Sequence, residues 1–318
     1  MSRYSSGTTP TISLIGATAL WAFATVISKK LLGTVPPITL LVVQLIPSVT
    51  LLWILAAAAR IAPLRWQVTV PVALLGCLNP GMSYTLSLLG LTRTTASVAT
   101  LLWAAEPAFI VGMAWLILRE RLTAGRVAVT AVAACGVIMV SGVAAGGSVA
   151  TGDLGGDALI LAGVLCCALY TVLARKITVA IDPLFTVTLQ QTVGLAWAVM
   201  LWPLEWHQQG STPLSALTST EILGAAVSGA MYYGAAFWLY LKGLARVPAS
   251  VAGGFLNLIP VFGIATAFAF LGERLTAAQW AGAGTIIFAV FFLLSMEAPR
   301  ASEGATPKQG PNHGDIHP

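Results

Sequence analysis

The sequence predicts an all-α integral membrane protein with ten transmembrane helices, arranged as two inverted five-helix repeats. Three observations lead to this expectation: a very apolar composition, ten apolar runs of spanning length, and a segment that occurs twice. Of the 318 residues, 57% are hydrophobic and 8% are charged, and the mean hydropathy is +0.87. An average soluble domain is about 25% charged. So much apolar surface calls for a lipid environment.

Each of the ten apolar runs is close to the ~20 residues that a helix needs to cross a bilayer. The runs are too long and too uniformly apolar for strands, and backbone in lipid must satisfy its own hydrogen bonds within a helix or a closed barrel. The runs cover residues 12–32, 38–59, 68–89, 96–118, 125–143, 158–177, 184–204, 222–241, 251–271 and 278–296.

A segment of the first half recurs in the second half, 153 residues further along. Residues 90–99 correspond to 243–252, and residues 120–123 correspond to 273–276. Matches of Arg, Ser, Pro and Glu in register are hard to obtain by chance, and internal repeats of this kind decide the fold. A fainter match of Lys, Pro and Gln has an offset of 146, between Lys30, Pro37, Gln44 and Lys176, Pro183, Gln190.

Five helices is an odd number, so the two halves must enter the membrane in opposite senses. We expect an N-terminal tail, a first repeat, a connecting loop, a second repeat and a disordered C-terminal tail. Their ranges are 1–11, 12–143, 144–157, 158–297 and 298–318.

The basic residues predict the orientation. With the N-terminus inside, 12 of the 16 Lys and Arg residues fall in inner segments, and the outer segments hold Lys29, Lys30, Arg93 and Arg274. The positive-inside rule therefore favours two cytoplasmic termini in a multi-pass protein of the cell membrane. The net charge of +5 is read as topology and not as a signal for nucleic acid.

Two five-helix repeats, each with an Ala-Ser-Val-Ala helix start, a mid-helix Pro and a Glu-Arg-Leu ending, resemble the EamA-type transporters of the drug/metabolite transporter superfamily. The resemblance covers residues 12–296, including Trp21 and Leu169–Tyr170. Gly272 to Leu275 match the repeat ending, whereas the first copy has Arg119 where Gly is usual. The resemblance implies a secondary transporter of small organic solutes.

Glu106 is the one carboxylate that we place inside a span, and it is the leading site candidate. Burying an ionised carboxylate there costs at least ~2.5 kcal/mol, and such residues usually face a cavity or bind a substrate. A protonated, structural carboxyl is the alternative. Pro107 and Pro260 are candidate hinges, because each leaves a backbone carbonyl without its helical partner, at Trp103 and Leu256 respectively.

Further candidates are polar or aromatic side chains inside the spans. Asn79 and Asn257 could orient a substrate or join helices. Aromatic rings could line a pocket or simply pack, and these are Trp21, Tyr84, Trp103, Tyr170 and Tyr232. Glu120 and Glu273 are interpreted as salt bridges with Arg121 and Arg274 at helix ends. The four cysteines are interpreted as small buried hydrophobes.

Other classes of protein fit the sequence less well. The three histidines, His207, His313 and His317, lie outside the spans, so we expect no intramembrane histidine catalysis, no histidine-ligated metal and no cofactor. No GxxxxGK phosphate loop occurs. A non-transporting membrane scaffold or receptor remains the alternative to a transporter.

Lys and Arg lie at helix ends and not at mid-span, so we expect a neutral, zwitterionic or cationic solute, such as an amino acid or a related metabolite. Exclusion of water favours the neutral form of a carboxyl, so Glu106 could exchange a proton for the solute. The expected mechanism is alternating access by an exporter or exchanger.

Overall fold

The computed structural model describes residues 8–61, 65–91, 93, 102–103, 105–121, 123–140, 154–178, 180–209, 217–271 and 277–297. All regular structure in these residues is helical. The α-helices are α1 (Thr8–Leu31), α2 (Pro37–Ala58), α3 (Trp66–Gly76), α4 (Ser83–Leu91), α5 (Glu106–Leu118), α6 (Ala124–Val140), α7 (Leu154–Thr178), α8 (Pro183–Gln209), α9 (Ser219–Gly229), α10 (Phe237–Leu244), α11 (Ala249–Phe255), α12 (Leu258–Leu271) and α13 (Ala277–Glu297).

Six helical stretches in the described residues are long and apolar enough to cross a membrane. They are Thr9–Ser28, Pro37–Ala58, Trp66–Gly90, Leu154–Ile177, Pro183–Trp206 and Ser219–Leu244. Four shorter apolar helices accompany them: Glu106–Leu118, Ala124–Met139, Ala249–Gly263 and Trp280–Leu293. The structure thus has the helices of a multi-pass membrane protein, and its predicted N-terminal and C-terminal tails lie largely outside the described residues.

Wide, π-helical turns interrupt two of the long stretches. Cys77–Met82 joins α3 to α4, and Ala230–Ala236 joins α9 to α10. Within the first of these, Asn79 has extended backbone angles (φ −148°, ψ 118°) and a cis peptide to Pro80. The helix therefore breaks at Asn79, and this break brings its side chain into the interior of the protein.

Carboxylates fix several helix starts, because they accept hydrogen bonds from the free N–H groups of a first turn. Asp182 Oδ1 accepts from the N–H groups of Leu184 and Phe185 at the start of α8. Glu205, near the end of α8, accepts from Ile38 and Thr39 at the start of α2. The predicted apolar run 184–204 ends just before Glu205, but α8 continues to Gln209 and Glu205 is buried.

The two halves of the chain contact each other at corresponding positions. Gly76 in α3 lies against the backbone carbonyl of Gln190 in α8, and Gly229 in α9 lies against the carbonyl of Gln44 in α2. These pairs differ by the same offsets of 153 and 146 residues as the repeated sequence. Absence of a Cβ at both glycines permits this close backbone approach.

Candidate functional site

Most of the sequence-predicted site residues come together in one interior cluster. Tyr84 and Tyr232 lie at its centre, and the hydroxyl of Tyr84 donates to that of Tyr232 at 2.8 Å. Tyr84 also stacks on Trp103, with ring centroids 6.3 Å apart and planes inclined by 28°. These rings come from the two halves of the chain, so the cluster lies where the halves meet.

Trp21 and Tyr170 extend the cluster through Phe237. Trp21 donates its indole N–H to the backbone carbonyl of Tyr232 at 3.2 Å, and its ring meets Phe237 edge-on at 5.0 Å. The ring of Tyr170 lies 6.3 Å from the same Phe237, and its hydroxyl donates to Gln190 Oε1 at 2.8 Å. Both side chains are buried, so they form the wall of the cluster.

Glu106 is buried at the first residue of α5, with 7% of its surface exposed. Its carboxyl lies close enough to the thiol of Cys167 for the two groups to interact. Tyr232 and Tyr240 lie close enough to interact with it electrostatically. Glu106 therefore belongs to the same polar and aromatic interior as the predicted tyrosines.

Asn79 reaches this interior through the same thiol, because its Nδ2 donates to Cys167 Sγ at 3.1 Å. Asn257 does not share these contacts. It lies in the turn between α11 and α12, where its Nδ2 donates to the carbonyl of Gly254 at 3.1 Å. The structure thus assigns Asn257 a local contact in its own turn.

The two hinge prolines lie in the first turns of helices. Pro107 is the second residue of α5, and Pro260 is the third residue of α12. Pro107 follows a turn residue at Ala105, and Pro260 follows a turn at 256–257. The prediction of a free carbonyl at Leu256 is wrong, because that oxygen accepts from the N–H of Ile259 at 3.0 Å in a tightened turn.

Glu120 is anchored differently from the predicted salt bridge with Arg121. Its carboxylate accepts from the N–H groups of Ala249 and Ser250, at 2.8 and 3.3 Å, and from the Ser250 hydroxyl. It therefore caps α11 from the far end of α5. Glu273 and Arg274 lie outside the described residues.

Sequence reasoning missed Cys167. The four cysteines are free, but Cys135 is exposed and only Cys167 is buried. A cysteine in an apolar run gives the same signal as alanine. The available clue was its helical spacing, because Cys167 precedes the candidate Tyr170 by one turn on α7.

A separate cavity of about 800 Å³ opens at the ends of α2, α8 and α10. Its wall includes Trp238, which directly follows Phe237 of the cluster, together with Asp182, Lys242 and Arg246. The Lys242 amine lies 5.5 Å from the centroid of the Trp238 ring.

These helices and this buried site define an integral membrane protein with a polar and aromatic interior between its two halves. The chain belongs to the EamA-like transporter family, whose model matches residues 9–142 and 154–295. It is accordingly a membrane transporter of small molecules and not an enzyme.

Relatives agree with this assignment. The uncharacterized transporter YetK of Bacillus subtilis (strain 168) is 26% identical over 93% of this chain and 90% of its own length. A protein of Streptantibioticus cattleyicolor named a probable terminal-alkyne amino-acid exporter is 27% identical over 69% of this chain and 70% of its own. A solved crystal structure has the same fold, with a TM-score of 0.76 and 21% identity over 89% of this chain and 98% of its own.

Proposed function

We propose that this protein is a ten-span secondary transporter of the cell membrane, built from two inverted five-helix repeats. It exports or exchanges a small neutral, zwitterionic or cationic organic solute by alternating access. The observation that carries the proposal is the burial of Glu106 beside an aromatic cluster that both halves of the chain form. A site at the interface of two such halves is where rocking transporters bind their solutes.

The charges at the site favour an amine-bearing solute. Arg126 is the one buried cation among the described residues, and it lies at the start of α6, away from Glu106. A multiply anionic solute would need a fixed cation as a partner. Aromatic faces attract an ammonium by about 0.5–2 kcal/mol each. The amino-acid exporter among the relatives supports the same solute class.

Glu106 is proposed to couple the solute to protons. A proton or an ammonium can neutralise the carboxylate, and either occupant then permits the halves to rock. Ile259 stands at the matching position of the second half, so a single carboxyl serves both access states.

Glu106→Gln tests this coupling, because glutamine keeps the shape and the hydrogen bonds but cannot ionise. The variant should fold normally and lose pH-dependent transport. The measurement is proton release from proteoliposomes, recorded with an entrapped pH dye while amino acids and amines are added. Glu221→Gln is the control, because that carboxylate is exposed in the capping box of α9. An unchanged pH profile in Glu106→Gln would make the carboxyl structural and the coupling wrong.

A further inference from the structure

Three polar side chains from three separate segments meet at one sulfur atom. Asn79 comes from the break after α3, Cys167 from the middle of α7, and Glu106 from the start of α5. Asn79 Nδ2 donates to Cys167 Sγ at 3.1 Å. The Glu106 carboxyl lies close enough to the Cys167 thiol for the two groups to interact. The carboxamide of Asn79 and the carboxyl of Glu106 therefore both lie close to the same thiol.

The side-chain oxygen of Asn79 has no hydrogen-bond partner among the described residues. Asn79 is 1% exposed, and its Oδ1 makes no hydrogen bond to any residue that the structure describes. An unpaired amide oxygen is costly to bury, and buried polar atoms in native proteins are nearly always satisfied. This oxygen therefore points to a donor that a bound molecule supplies.

The groups around Glu106 indicate the charge that the bound molecule must carry. Tyr84 and Tyr232 lie close enough to Cys167, and Tyr240 close enough to Glu106, to interact electrostatically. These groups are hydroxyls and a thiol, so they supply no positive charge to an ionised Glu106. A protonated amine supplies the charge and also N–H donors, whereas a quaternary ammonium has no N–H and an amide has no charge.

We infer that Glu106, Asn79 and Cys167 form an ammonium subsite, an inference that rests on the proposed transport function and narrows the solute to a protonated primary or secondary amine. The Glu106 carboxylate and Asn79 Oδ1 accept N–H groups from the amine. Cys167 is a positioning residue, because its sulfur holds the carboxamide and the carboxyl in place. The rings of Tyr84 and Tyr232 contact each other, and both residues interact electrostatically with Cys167.

Amine binding to the purified full-length protein tests the subsite. The probes are 2-phenylethylamine, whose ring suits the aromatic cluster, and its N-acetyl derivative, which lacks the charge. Isothermal titration calorimetry should give at least tenfold tighter binding of the amine. Asn79→Leu should weaken amine binding about tenfold, because an acceptor for a charged donor is lost.

Cys167 is tested by rescue. Cys167→Ala should weaken amine binding severalfold, and Cys167→Ser should restore most of it, because a hydroxyl can bridge the same two groups. Cys166→Ala is the matched control, since Cys166 is the adjacent thiol on α7 and has no place in the subsite. A thermal-unfolding midpoint for each variant separates loss of binding from loss of folding. If Asn79→Leu fails to fold, amine binding to Cys167→Ala tests the subsite instead.

Each outcome has a definite meaning. Equal binding of the amine and its N-acetyl derivative, or no binding of the amine, overturns the subsite. So does unchanged amine binding in both Asn79→Leu and Cys167→Ala. If Glu106→Gln loses its pH dependence in that case, the proposed transport function stands without the subsite. If Glu106→Gln keeps its pH profile while the other variants lose amine binding, the subsite stands and proton coupling fails.

Discussion

Arg119 ends α5 with a left-handed backbone, at φ 54° and ψ 32°. A side chain is strained in that region, by about 1 kcal/mol, and glycine is not. This geometry explains why the EamA-type repeat ending usually has Gly at this position. Arg119→Gly should therefore raise the free energy of unfolding by about 1 kcal/mol, which thermal or denaturant unfolding in detergent would measure. Arg121→Gly is the control, and an equal gain there would contradict the explanation.

Glu120 holds α5 to the start of α11 through three hydrogen bonds. Glu120→Ala removes the acceptor from two backbone N–H groups and a hydroxyl, so it should lower the free energy of unfolding by about 1–3 kcal/mol. Arg121→Ala, at the exposed neighbouring position, should change it by less than about 0.5 kcal/mol. Equal effects of the two substitutions in a thermal-unfolding assay would argue against a capping role for Glu120.

Individual residues differ in how well the sequence predicts them. Glu106 is easy to identify, because burying a carboxylate within an apolar run is costly and such residues usually have a function. The aromatic rings stand out less, yet Trp21, Tyr84, Trp103, Tyr170 and Tyr232 are in one connected cluster. The partners of Glu120 and Asn79 depend on contacts between distant segments. Periodicity along the chain carries no information about such contacts.

Composition predicts where the helices lie but not where they are interrupted. Hydropathy predicts the long apolar stretches, and α2 begins and ends within one residue of its predicted run 38–59. It does not predict the π-helical turns Cys77–Met82 and Ala230–Ala236, because apolar residues suit either kind of helix. Pro107 and Pro260 indicate discontinuities, but the discontinuities precede the prolines, which occupy first turns where a missing N–H is harmless.

Two glycines at the crossings of helices from opposite halves carry a further prediction. A Cβ on Gly76 would lie 2.8 Å from the carbonyl carbon of Gln190, and one on Gly229 would lie 2.7 Å from that of Gln44. Backbone cannot move aside as a side chain can, so Gly76→Ala and Gly229→Ala should each destabilise the protein by at least about 2 kcal/mol.

Gly112 is the matched control for these crossings, because nothing lies within 4 Å of a Cβ placed there. Gly112→Ala in α5 should be neutral or stabilising by up to about 1 kcal/mol, since alanine favours a helix. Thermal midpoints of the three variants in one detergent would make the comparison. A loss in Gly112→Ala as large as that in Gly76→Ala would mean that the crossing is not the cause.

The two halves of the chain resemble each other. The family model matches the two halves separately, and the Gly76–Gln190 and Gly229–Gln44 contacts repeat with the offsets of the sequence. The duplication can be recognised from the sequence because Arg, Pro and Glu recur at a constant offset. Glu106 and Ile259 differ at matching positions, so the site that we propose at Glu106 is not repeated in the second half. Repetition in the sequence thus predicts two similar halves, and a departure from the repetition supports the proposed site.

The positions of the basic residues predict how the two halves are oriented in the membrane. If each half has five spans, as we propose, the two halves have opposite orientations, and 12 of the 16 basic residues fall on the side of the N-terminus. Cytoplasmic segments retain Lys and Arg, so both termini should be cytoplasmic. Alkaline phosphatase, which is active only outside the cytoplasm, should be inactive when fused after residue 297, and a green fluorescent protein fused there should fluoresce. As a control, phosphatase fused at residue 210, after the seventh predicted span, should be active. Active phosphatase at both residue 210 and residue 297 would put both on the outside and contradict the three spans predicted between them.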